Sequence, residues 1–148
     1  MRSKWTVLAV AITAVGLTAA GLSFADDKKE SPLEKIMEKV NAKNNVIKKA
    51  VRTPVAFKKA GKSVVKAAED LAKLGKEARE IKSAAEKVKK PFSDWTKMMD
   101  EMIAASEKMA KAAEKGDHAE AKSAQSALTK SCGDCHKVFR VEEDEFDK

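Results

Sequence analysis

Tyrosine is absent from the 148 residues, and only six glycines, three prolines, two cysteines, two histidines, two tryptophans and five phenylalanines occur. Few glycines and prolines leave few turn signals, and no segment carries a strand pattern. Alanine, lysine and glutamate dominate instead, which is a helical composition. The shortage of aromatic side chains removes the stacking platforms on which single-stranded nucleic acid is held. The formal charge of +7 comes from lysines interleaved with acids along helices, so it reads as solvated faces that help steer acidic redox partners.

Against this plain background one pentapeptide stands out. Cys132-Gly133-Asp134-Cys135-His136 contains both cysteines and one of the two histidines, and it lies near the C-terminus. This is the C-x-x-C-H pattern of a covalently attached c-type haem. Two thiols about one helical turn apart can add to the two vinyl groups of one porphyrin edge, and the adjacent imidazole is then delivered to the iron. A zinc site needs about four protein ligands, or three and a water, yet beyond this motif only His118 remains. A redox dithiol normally opens a helix after a strand, where the helix N-terminus lowers the thiol pKa. Here the cysteines lie late in a helical pattern with no strand before them. The motif therefore predicts one haem c with His136 as an iron ligand.

The N-terminus assigns a compartment. Met1 to Lys4 is a short basic segment, Trp5 to Ala20 is apolar or nearly so, and Ser23-Phe24-Ala25 offers small residues at the positions a signal peptidase reads. Residues 1–25 are expected to be a cleaved signal peptide and the protein periplasmic; the alternative is an uncleaved anchor, since Trp5 to Ala25 is just long enough to span a bilayer. Removing 25 of the 148 residues leaves 123, enough for one core. The expected division is a helical haem c domain at 26–141 and an acidic tail at 142–148. No stable membrane insertion is expected after cleavage.

Helical signals then follow in order. Ser31-Pro32-Leu33-Glu34 is a capping box with proline at the first helical position. Leu33, Ile36, Met37, Val40, Ile47 and Val51 recur at helical spacing, with polar Asn44 inside the stripe. Thr53-Pro54 interrupts it, and a second helix starts at about Pro54 or Val55, to end either at Gly75 or near Val88. Pro91 with Ser93-Asp94 opens a third helix carrying Trp95, Met98, Met99, Met102, Ile103, Met109 and Ala113, and Gly116 stops it. Asp117 caps a fourth, with Glu120 at the reciprocal position of a second capping box. Ala121, Ala124, Leu128, Cys132, Cys135 and Phe139 form its stripe, and His118, at its start, reads as surface. Four helices with short connections predict an all-α, antiparallel up-down-up-down four-helix bundle. In that topology the start of the first helix lies beside the end of the fourth. Met37 is then about 7.5 Å of rise into the first helix, level with His136.

Taken together, these residues resemble class II c-type cytochromes: the cytochrome c prime family and its low-spin, methionine-ligated relatives. Cys132 to Arg140 is similar to the family's C-x-x-C-H-x-x-[YF]-R ending, and Leu33 to Ala50 resembles the first helix of the soluble periplasmic four-helix b-type cytochrome. The resemblance implies Trp95 as a haem-packing aromatic. Where high-spin members carry an apolar residue, this chain has Met37, so the expectation is a His136/Met37-ligated haem moving single electrons. The alternative is an open five-coordinate haem binding nitric oxide or carbon monoxide, and a third reading is a helical structural protein in which the motif is fortuitous. Met99 and Phe139 are expected to pack on the porphyrin, with Met98 and Met102 near them. Arg140 is expected either to pair with a propionate or to offset the negative end of its helix. The reading is a carrier and not an enzyme, with redox proteins as partners, no nucleic acid, and a homodimer allowed by the resemblance.

Overall fold

The computed structural model describes residues 31–140, which form five helices: α1 (Pro32–Ala50), α2 (Pro54–Arg79), α3 (Ser83–Lys87), α4 (Phe92–Glu114) and α5 (His118–Phe139). The signal-peptide segment and the acidic tail lie outside the described residues. The four long helices pack as a four-helix bundle, and α3 is a short turn within the α2–α4 connection.

Local chemistry sets most of the boundaries. Ser31 Oγ accepts from the Glu34 N–H while the Glu34 carboxylate accepts from the Ser31 N–H, which closes the expected capping box ahead of Pro32. Thr53 Oγ1 caps α2 through the Ala56 N–H at 3.1 Å. At the α4–α5 turn, Gly116 takes φ +68°, a left-handed conformation that costs glycine nothing. Its N–H reaches the Ala113 carbonyl and the Asp117 N–H reaches the Ala112 carbonyl, a Schellman closure. That closure leaves the second expected capping box half formed: Asp117 caps the Glu120 N–H, but its own N–H is already engaged.

The end of α2 differs from both expected ends. Gly75 lies inside the helix, buried, because α2 and α4 approach closely there. A Cβ at that position would stand 2.8 Å from both Ile103 Cγ1 and Met102 Cε. The helix stops at Arg79 instead, after which the chain turns through Ile81 into α3. The indole Nε1 of Trp95 donates to the Ala78 carbonyl at 3.0 Å, satisfying a last-turn acceptor of α2 from α4. His118 corrects the surface reading in the same way. Its half-buried Nε2 donates to the Val51 carbonyl at 2.9 Å, capping the end of α1, and its ring leans on Phe57 at 5.5 Å.

Two apolar clusters fill the bundle. The larger one, around Ile47, Phe57, Val64, Leu71, Met109 and Leu128, is essentially sealed. Each such side chain contributes about 1.5–3 kcal/mol by burial. The backbones of α1 and α5 approach each other less closely than the other neighbouring pairs of long helices. They are tied across the seam by buried Asn44, whose Oδ1 accepts from Gln125 Nε2 at 3.1 Å. Asn44 thus belongs in the stripe as a polar partner.

Substitution at the two α2 glycines should separate propensity from packing. Gly61 has open space where a Cβ would stand, so Gly61→Ala should stabilise by about 1 kcal/mol, raising Tm by roughly 4–8 °C. Gly75→Leu should instead cost roughly 1–3 kcal/mol through overpacking against Ile103. Trp95→Phe, which keeps the ring but loses the tie to Ala78, should cost about 1 kcal/mol in denaturant unfolding.

Candidate haem site

The second apolar cluster forms one pole of the bundle. Leu33, Ile36 and Met37 come to it from α1, Ala78 from α2, and Ile81, Ala84 and Ala85 from the connection. Phe92, Trp95, Met98 and Met99 come from α4, and Cys135 and Phe139 from α5. The antiparallel register therefore brings together Met37, Trp95, Met99, Cys135 and Phe139, five of the expected site residues. Trp95 is 2% exposed and meets Phe139 edge-on at 5.2 Å and 76°, joining α4 to the end of α5. Trp95 is thus held from two sides, by its hydrogen bond and by its ring.

Cys132 lies half-buried on the same face of α5, one turn earlier, where it packs against the larger cluster. His136 is exposed beside Cys135, and its ring makes no hydrogen bond among the described residues. Arg140 is the exposed C-cap residue of α5, its N–H bonded to the His136 carbonyl. Its side chain has no ion pair among the described residues. Met102 departs from expectation. It sits in the larger cluster against Gly75, so it does not join Met98 and Met99 at the pole. Ile81, Ala84 and Phe92 complete the pole and were not expected there, because the chain direction after Arg79 is set by tertiary packing.

The pole fits a flat apolar group with covalent anchors. Leu33, Ile36, Met37, Ile81, Phe92, Met98 and Phe139 are only partly buried there, so a substantial apolar surface is left for something other than protein to cover. Two thiols one turn apart and an uncommitted imidazole sit at its edge. Burial raises the Cys132 thiol and pushes that of Cys135 up to about 11, with the neighbouring Cys132 adding to the shift. A redox dithiol needs the opposite, a depressed pKa. Alkylation to a thioether leaves buried sulfur with no proton to lose.

A pH dependence follows for the reduced, haem-free chain. The folded Cys135 thiol titrates at about 11, against about 8.5 in an unfolded chain. The neutral thiol's contribution is fully present below the lower value and is lost as pH rises through the upper one. Unfolding free energy measured across this alkaline range should fall, and the part due to this residue should vanish in haem-free Cys135→Ala.

A family model described as Cytochrome C' matches residues 34–140. No curated protein and no solved structure matches the chain. The family binds one covalently attached c-type haem, which is the group the cysteine pole fits. The match overturns one expectation: it points to the five-coordinate, gas-binding haem of cytochrome c prime and not to electron transfer through a His136/Met37-ligated iron. Physically, a thioether packs against rings and irregular apolar surfaces as readily as it binds iron, and Met37 lies among Leu33, Ile36 and the ring-bearing residues of the pole. The matched span runs from the capping-box residue Glu34 of α1 to the C-cap of α5, taking in α2 to α5, all but the first two residues of α1, and every residue of the cysteine pole except Leu33. The chain therefore belongs to the cytochrome c prime family.

Proposed function

We propose that this protein is an exported, five-coordinate haem c protein that binds nitric oxide or carbon monoxide. The haem would supply an iron with one open coordination position. Cys132 and Cys135 would hold it through two thioethers, and the exposed imidazole of His136 would be its protein ligand. Trp95, Met99, Phe139 and Met37 would wall it, and Arg140 would sit where a propionate can be paired.

The observation carrying this reading is the chemistry of the pole. Its side chains are hydrocarbon, thioether, thiol and aromatic, and the one strong donor among them, the Trp95 indole, is spent on the Ala78 carbonyl. Such a wall offers nothing to an anion or to a ligand that needs a proton, because a buried polar group without a partner is costly. A small neutral diatomic loses little on entering it. Trp95, anchored at both ends, keeps that wall rigid. The reading is one of binding and not of catalytic turnover.

The support for export is the signal-peptide pattern of the sequence at 1–25, and family members are periplasmic; no described helix is long and apolar enough to cross a membrane. Family members are redox-active and commonly homodimeric, so redox proteins and a second copy belong to this reading as partners.

Mass spectrometry of the exported, denatured protein should show the Cys132–Cys135 peptide heavier by one haem and a chain starting at Asp26. The ferric absorption spectrum should be high-spin, and the ferrous protein should bind carbon monoxide without prior ligand release. Met37→Leu should leave that spectrum unchanged, since both side chains are apolar wall of similar volume. A low-spin wild type that becomes high-spin in Met37→Leu would refute the open site.

A further inference from the structure

The interleaving of lysines with acids expected along the helices fails between Glu38 and Glu69, where the chain carries nine basic residues and no acidic one. The fold concentrates this run on the α1–α2 hairpin, and its tip is the pole opposite the cysteines, about 28 Å away along α1. Lys48, Lys49 and Arg52 lie at the end of α1, and Lys58, Lys59 and Lys62 on the first turns of α2, all exposed. Of the nine, only Lys43 makes an ion pair among the described residues, with Asp70 at 2.7 Å. The adjoining α4–α5 turn does not cancel the charge, since Lys111 and Lys115 stand there beside Glu114 and Asp117.

Two further features share this surface. The exposed large hydrophobic residues among those described are Val46 and Val55, at 41% and 67%, and both fall inside the basic run. An open trough of about 660 Å³ between α2 and α4 is bordered by Lys58, Lys62 and Lys66, with Glu69 and Glu114 also on its lining, so its charge is mixed and the cationic character lies with the hairpin tip.

We propose that this pole docks peripherally on a bilayer surface rich in anionic phosphate headgroups, holding the haem pole away from the membrane. The charge is broad, spread over two helices and their turn, and eight of the nine cations are lysine. Lysine is a hydrated point charge suited to diffuse attraction, whereas arginine would suit bidentate recognition of particular carboxylates on a protein. Exposed valine beside unpaired lysine adds shallow apolar contact at the headgroup boundary, as on interfacial helices. A nucleic acid would call for aromatic stacking, and the run's only aromatic residue, Phe57, is buried.

The test is sedimentation of the haem-loaded protein with vesicles of equal parts phosphatidylglycerol and phosphatidylcholine, and with vesicles of phosphatidylcholine alone. Binding should occur to the mixed vesicles at low salt, fall as salt rises, and be weak on the neutral ones. The triple variant Lys58→Glu/Lys59→Glu/Lys62→Glu should bind at least about tenfold more weakly. It should fold normally, because all three side chains are exposed and none makes an ion pair among the described residues. Val55→Asp should also weaken binding, whereas Lys82→Glu/Lys87→Glu/Lys90→Glu, at the other pole, should stay within about twofold of wild type. Equal binding to neutral vesicles, or equal loss in the two triple variants, would overturn the proposal. Retention on immobilised polyaspartate without any vesicle binding would overturn it in favour of an acidic protein. None of these outcomes depends on the coordination state of the haem.

Discussion

The structure depends on an apolar pole that its own helices cover only in part. Elsewhere the bundle seals itself: Ile47, Phe57, Val64 and Leu128 lose essentially all contact with water. At the cysteine pole Leu33, Ile36, Met37, Phe92 and Phe139 stay partly exposed, and the backbones of α1 and α5 approach each other less closely than the other neighbouring pairs of long helices. A porphyrin covalently fixed to α5 would turn that deficit into core, so cofactor attachment and completion of the fold become one event. Binding free energy in such a case is also folding free energy.

Features set by neighbours in sequence were legible before the fold was known. The Ser31 to Glu34 box, Thr53-Pro54, and Gly116 before Asp117 are signals whose partners lie within a few residues. Features set by distant packing were not. Gly75 reads as a possible helix end because glycine commonly ends helices, yet here it is used for a close approach of Ile103 and Met102. His118 reads as surface beside two acids, yet it caps a helix 67 positions earlier in the chain. In the turn toward α3 the Ala78 carbonyl accepts both the local Ile81 N–H and the distant Trp95 indole, and no local pattern announces the second contact.

The candidate site divides along the same line. Cys132, Cys135 and His136 are legible because their chemistry is encoded in spacing along one helix. Topology puts Met37 level with His136, the family resemblance supplies Trp95 as a haem-packing aromatic, and Met99 and Phe139 are expected beside the porphyrin; the structure brings all but His136 together with Cys135. What spacing does not encode is the ligand state of an iron. Rise per residue gives the height of Met37, but ligation depends on rotation about the helix axis and on distances of a few tenths of an ångström. The same thioether can serve as wall or as ligand, and it is the family match, not the spacing, that points to the five-coordinate form.

A molecule with one apolar pole and one strongly cationic pole has a direction. Helix composition alone does not require this, since the acids of α4 and α5 could have been distributed over α1 and α2 at no cost to the core. Leaving the hairpin without acids from Lys39 to Ala68 brings like charges together, and like charges self-repel. That repulsion weakens the tip where α1 and α2 meet, and the fold answers it there with apolar and hydrogen-bonded closures: fully buried Phe57, the Thr53 cap, and His118 on the Val51 carbonyl.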